Sequence, residues 1–228
     1  MREGSGWQKK QTASLLGVGE RGNQQHGIIM SEINQVQDMT LRDAIRAEIA
    51  GIAPLDTLER SHIDEVLAWI DSGAELCRTA KPATPPEHLV SYFACVDGDH
   101  ILLVDHRNAR LWLPTGGHVE PGEHPRRTVA REALEELGIA AEFLREAPLM
   151  ITRTGTVGLT AGHTDISLWY LLSGDRTKPL AFDEGEFRSV RWFRFTDVPL
   201  DRSDPHMERF LRKLASTVGD MKKPDHAM

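Results

Sequence analysis

Apolar positions recur at helical spacing between residues 40 and 72: Leu41, Ala44, Ile45, Ile49 and Ile52, then Leu58, Ile63, Val66, Leu67 and Ile70. This spacing predicts two short amphipathic helices. The first covers 40–53 behind a Thr40 cap, and the second covers 55–72 and ends at Gly73. Neither can bury its apolar face alone, so both are expected to pack on the main domain or on a second subunit. KPATPPEH (81–88) resists helix and is expected to be a linker at a domain boundary. Beyond it the pattern turns to β. LVSYFACV (89–96) and HILLVDH (100–106) flank a turn at 97–99, and ARLWLP (109–114) follows. Further strands are expected near 142–153, 164–173 and 187–195, with a final amphipathic helix over 205–218. Between them a helix runs from Pro125, which suits a first turn, to Leu137, with Gly138 placed to end it. Strands on both sides of helices indicate a layered α/β architecture with a mixed sheet.

The domain reading follows. Residues 1–30, polar and glycine-rich without periodicity, are expected to form a flexible arm. A helical extension covers 31–80, the linker 81–88, the main domain 89–220 and a flexible tail 221–228.

Composition narrows the function classes. A net charge of −7 over 228 residues disfavours duplex nucleic acid and anionic membranes as partners. No apolar run approaches the roughly 18–20 residues of a membrane span, and the N-terminus lacks a secretory pattern, so a cytoplasmic location is expected. Cys77 and Cys95 are read as reduced thiols.

The chemistry concentrates in LPTGGHVEPGEHPRRTVAREALEELGI (113–139). At about 100° per residue, Glu132, Glu135 and Glu136 share one helix face, and Ala130, Ala133, Leu134 and Leu137 lie on the opposite one. Repulsion among three such charges is only roughly 0.2–0.5 kcal/mol per pair, so a solvated acidic face is one reading. The other is a partial cage for Mg²⁺ or Mn²⁺, which take oxygen ligands together with substrate phosphate. Gly116 and Gly117 allow a sharp turn that brings a backbone carbonyl to such an ion. Glu123, eight residues before Arg131, can pair with it and lock the loop to the helix.

Gly117, five residues, Glu123, seven residues, then Arg131 to Ile139 (REALEELGI) resembles the box of the Nudix hydrolase family. Two positions depart from it: Ala133 is smaller than usual, and Thr115 separates Pro114 from the glycine pair. The resemblance implies a Nudix-type α/β/α sandwich and hydrolysis of a diphosphate bond in a small substrate, a nucleoside diphosphate linked to another moiety. It implies Mg²⁺ or Mn²⁺ held by Glu132, Glu135, Glu136 and the Gly116 carbonyl, with Glu123 and Arg131 bracing the loop. Glu135 is one candidate general base. A further acidic ligand is expected from FDEGEFRSVRWF (182–193), with Glu186 preferred and Glu184 in reserve. Asp165 is read as a strand-edge acid or a site residue. Arg107, Arg110, His118 and Arg153 are candidate substrate contacts. Trp112, Trp169 and Trp192 are expected in the core, and 154–164 could cover the substrate. The alternatives are a non-catalytic nucleotide-binding sensor of the same fold and, ranked below it, a diphosphate isomerase. The N-terminal helices could cover the substrate pocket or build a homodimer.

Overall fold

Strand β1 (Glu87–Asp97) is the spine of a seven-stranded mixed sheet. It runs parallel to β6 (Thr164–Ser173) over ten residue pairs, and antiparallel to β2 (His100–His106) and β4 (Thr115–His118). β2 carries the short β3 (Trp112–Leu113) and β7 (Phe187–Arg194), while β5 (Met150–Gly155) lies antiparallel beyond β6. The computed structural model describes residues 41–81, 84–156 and 162–221, without the side chains of 219–221. The expected arm, the tail beyond 221 and the middle of the 154–164 stretch lie outside them.

β1 and β6 read as continuous apolar runs because both faces of the sheet are covered. Leu89, Phe93, Cys95, Ile166, Leu168 and Tyr170 form one face, packed with Val129, Ala133 and Leu137 of α3 (Pro125–Leu137). The same core takes Ile45 and Ile49 from α1 (41–50), and Ile63, Val66 and Ile70 from α2 (Thr57–Asp71). Ala94, Val96, Trp169 and Leu171 form the other face, under Met207, Phe210 and Leu214 of α4 (Met207–Met221). The result is an α/β/α sandwich.

The two N-terminal helices therefore share the core of the sheet. Polar contacts fix them there: the Tyr170 hydroxyl bonds to Glu48 at 3.1 Å, Arg209 binds the α2 cap Asp56, and Lys213 binds the buried Glu59 at 2.5 Å. Among the described residues no helix is long and apolar enough to cross a membrane.

Four sequence expectations shift. Residues 142–149 are irregular apart from a bridge between Phe143 and Leu172, because β5 starts only at Met150. The ARLWLP strand shrinks to Trp112–Leu113. The glycine pair lies inside a strand, β4, with Thr115 buried opposite Phe93. β1 already begins at Glu87, inside the expected linker.

Candidate active site

Local sequence sets the ends of α3. The His124 side chain accepts from the Arg126 N–H, Pro125 fills the first turn, and Gly138 takes the left-handed conformation at φ 65°. The buried residues are Pro125, Thr128, Val129, Ala133, Glu136 and Leu137, whereas Leu134 is 63% exposed. This corrects the expected geometry. The apolar face is not opposite the glutamates. Glu136 lies near the middle of the buried arc, Glu132 near its edge, and Glu135 outside it.

The glycines explain how a glutamate can face inward there. Gly116 has φ 152°, and a Cβ on it would lie 2.0 Å from the Ser91 carbonyl oxygen. A Cβ on Gly117 would lie 1.9 Å from Glu132 Oε1. Bare backbone thus fills the space between β1 and the carboxylates. The Gly116 N–H donates to Glu136 Oε2 at 3.2 Å.

The loop before the helix is tied down by charge. Arg131 donates to both oxygens of Glu123, at 3.2 and 3.1 Å, and Thr128 donates to the same carboxylate at 2.8 Å. Burial opposes ionisation of Glu123, but these bonds hold its pKa below the usual carboxylate value. Arg131 also reaches Glu132 at 2.6 Å and Glu135 at 3.5 Å, so one guanidinium touches three of the motif's carboxylates.

Burial pushes the Glu136 pKa up to about 9, and the charges of Glu132 and Glu186 add to it. Burial also raises Glu132, with Arg131 opposing and Glu135 and Glu186 reinforcing. Glu186, from the turn before β7, therefore acts on both helix glutamates. Its carboxylate is 3.3 Å from His106 Nε2. His106 Nδ1 accepts from the N–H groups of Asn108 and Ala109, which leaves the proton on Nε2, facing Glu186. Sequence reasoning missed His106. Its only signal is register, since it pairs with Phe187 across β2 and β7.

Glu132, Glu135, Glu136 and Glu186 offer hard oxygen donors, and Glu136 is a buried carboxyl among like charges. Such donors are of the kind that a divalent cation such as Mg²⁺ or Mn²⁺ takes.

The other candidates fall elsewhere. Arg107 donates to the Glu184 carbonyl at 2.8 Å, and its N–H bonds the Glu186 carbonyl at 2.9 Å, so it fastens the Glu186 turn. Arg110 is exposed in the turn after β2, at φ 58°. Arg153 is paired with Glu87 at 2.6 Å and Glu65 at 3.6 Å. Trp169 is core and donates to Thr152 at 3.0 Å. His118 and Asp165 lie on the sheet face opposite α3, beside His88 and His163. A surface cavity lined by His100, Trp112, Arg191 and Trp192 contains none of the carboxylates.

The profile of the NUDIX domain family matches residues 87–214. The NAD-capped RNA hydrolase NudC of Enterobacter sp. (strain 638) is 35% identical over 104 residues, 45% of this chain and 37% of that protein. The chain thus spans little more than a third of that relative's length. A MutT NUDIX hydrolase from Burkholderia pseudomallei superposes with TM-score 0.48 at 24% identity, covering 56% of this chain and 98% of that one. A NUDIX-family hydrolase from Clostridium perfringens gives TM-score 0.45 at 22% identity, covering 60% and 98%. The matched domain fills more than half of the chain and contains the whole glutamate helix, and the chain belongs to the Nudix family.

Proposed function

We propose that this chain hydrolyses a diphosphate bond in a small substrate, a nucleoside diphosphate linked to another moiety, with Mg²⁺ or Mn²⁺ held by Glu132, Glu135, Glu136 and Glu186. The observation that carries the reading is the buried Glu136 against the Gly116–Gly117 backbone, with Glu132 and Glu186 within electrostatic reach. A carboxyl so buried among anions gains no stability by being there, and a cationic ligand accounts for it. When bound, the ion supplies charge neutralisation on the diphosphate and acidification of a water.

The chain's own residues do the rest by positioning. Glu123 and Arg131 hold the loop against α3, so that Glu132 keeps its place beside Gly117. His106 and Arg107 hold the turn that carries Glu186. Glu135, 61% exposed, and Glu186, 42% exposed, are the carboxylates with the solvent access needed to receive the attacking water's proton. The partial relative is named for NAD-capped RNA, which contains a diphosphate between two nucleosides, so that linkage belongs in the substrate panel beside others of its class.

The test is a panel of nucleoside diphosphate conjugates with Mg²⁺ or Mn²⁺, reading which phosphorus–oxygen bond breaks. Metal-dependent release from at least one conjugate, abolished in Glu136→Gln, is expected. Tight nucleotide binding with no turnover across the panel would turn the reading to a non-catalytic sensor.

A further inference from the structure

Four side chains that the proposed hydrolysis does not use converge on the sheet face opposite α3. His88 stands opposite Asp165 in the β1–β6 ladder, and His118 stands opposite Val90 in the β1–β4 ladder. The period of two along β1 places 88 and 90 on one face, so register alone brings three of the four together. His163 enters from the residue before β6. One ligand atom from each of His88, His118, His163 and Asp165 lies within 4.8 Å of every other. The rings of His118 and His163 lie 4.9 and 5.0 Å from that of His88.

We propose that His88, His118, His163 and Asp165 form a metal site for a zinc-class transition-metal ion, separate from the glutamate site.

Unsatisfied atoms point to a ligand. The His88 side chain has no solvent exposure, and among the described residues its Nε2 has no hydrogen-bond partner. The same is true of the buried His118 Nε2 and Asp165 Oδ1, and of Thr154 Oγ1, opposite Asp165 on β5. Four such atoms in one spot would cost several kcal/mol if nothing met them. Their tautomers are set for coordination. His88 Nδ1 donates to the Pro85 carbonyl at 2.9 Å, which leaves a lone pair on Nε2. Thr156 gives its hydroxyl proton to the His163 carbonyl at 3.0 Å, and its oxygen lies 3.3 Å from His163 Nδ1. With that nitrogen as the donor, His163 Nε2 turns its lone pair to Asp165 Oδ1, 3.2 Å away. Two lone pairs at that distance need a proton or a cation between them.

The donor set selects the ion. Three imidazoles and one carboxylate suit tetrahedral Zn²⁺, whose bonds of about 2.0–2.1 Å separate adjacent ligand atoms by roughly 3.3 Å. The His163–Asp165 and His88–Asp165 pairs, at 3.2 and 3.5 Å, already have that spacing. Arg78 and Lys81 lie close enough to act on His118. Nearby cations and a single anion disfavour hard Mg²⁺, which relies on carboxylates, and leave the advantage to an ion that binds neutral imidazole strongly. Bound there, the ion ties β1, β4 and β6 together directly after the glycine pair.

The full chain is stripped with chelator, supplied with excess Mg²⁺, and titrated with Zn²⁺ by calorimetry and with Co²⁺ by visible absorption. Stoichiometric Zn²⁺ binding and the intense bands of four-coordinate Co²⁺ are expected. Loss of even a supporting partner weakens metal sites by about 10–100-fold, so His163→Ala and Asp165→Asn should each weaken Zn²⁺ by about a hundredfold or more. Glu136→Gln should leave it unchanged. Circular dichroism on each variant confirms folding. Absence of Zn²⁺ binding, or its loss in Glu136→Gln with retention in His163→Ala, overturns the proposal and leaves a proton shared between His163 and Asp165.

Discussion

Glu136→Gln separates what the buried carboxyl does for stability from what it does for chemistry. The wild-type carboxyl has its pKa raised from 4.5 to about 9, chiefly by burial, so the folded chain keeps a proton there that the unfolded chain releases. Between those two values the folded state binds more protons, and its stability falls as pH rises. Below 4.5 both states are protonated, and this contribution vanishes. The slope is about 1.4 kcal/mol per pH unit, so at pH 7 the penalty reaches about 3 kcal/mol. Glutamine keeps the shape and still accepts from the Gly116 N–H, but carries no charge at any pH. In chelator, the variant should therefore be more stable than wild type. For a chain of this size 1 kcal/mol is about 2–4 °C, so its Tm should rise by about 6–12 °C at pH 7. The gain should shrink towards zero by pH 5 and grow at pH 8. Added Mg²⁺ should raise the wild-type Tm and close part of the gap, because the ion favours the carboxylate, while hydrolysis by the variant falls by at least about a hundredfold. The assay is paired thermal melts from pH 5 to 8, with chelator and with Mg²⁺, beside the hydrolysis assay. Equal Tm values for the two proteins at every pH would refute the claim that an uncompensated buried carboxyl sits there.

Gly116→Ala should fail to fold or lose most of its stability, since its Cβ meets the Ser91 carbonyl at 2.0 Å and rigid backbone cannot yield; expression and circular dichroism report this. Gly117→Ala meets only the end of the Glu132 side chain at 1.9 Å, so melts should change little while the metal concentration for half-maximal activity rises about tenfold or more. Lys213→Met removes the partner of Glu59, whose side chain has no exposure, and should cost about 3–5 kcal/mol in denaturant melts. His106→Ala should lower kcat by about tenfold with KM nearly unchanged, because it loosens the Glu186 turn and leaves the helix glutamates in place.

Much of the fold was legible because its elements obey simple periodicities. The limits of α3 came from Pro125 and Gly138, and the β1, β2 and β6 runs are apolar enough to read directly. Strand β4 was not, because a glycine pair carries the signature of a turn. Its strand character comes from pairing with β1, and the glycines are there for what lies beside them. His106 and the contact between Glu186 and the helix glutamates depend on long-range register, which no local pattern encodes.

The glutamate helix shows where periodicity misleads. A helical wheel assumes that charge faces water, and on that assumption it places Leu134 inward and Glu136 outward. The chain does the reverse: Leu134 is 63% exposed and Glu136 is buried. Nothing in hydrophobicity favours that exchange, and burial of an ionisable group among anions opposes it. The proposed cation accounts for the exchange, because a charge of opposite sign would enter the same space. On the proposed reading, the wheel's error and the raised pKa of Glu136 have one origin, a site arranged for a ligand that the sequence pattern does not contain. The same reasoning applies across the sheet, where His88 and His118 bury ring nitrogens that have no hydrogen-bond partner among the described residues. There, too, the departure from ordinary burial marks the place of the proposed ligand.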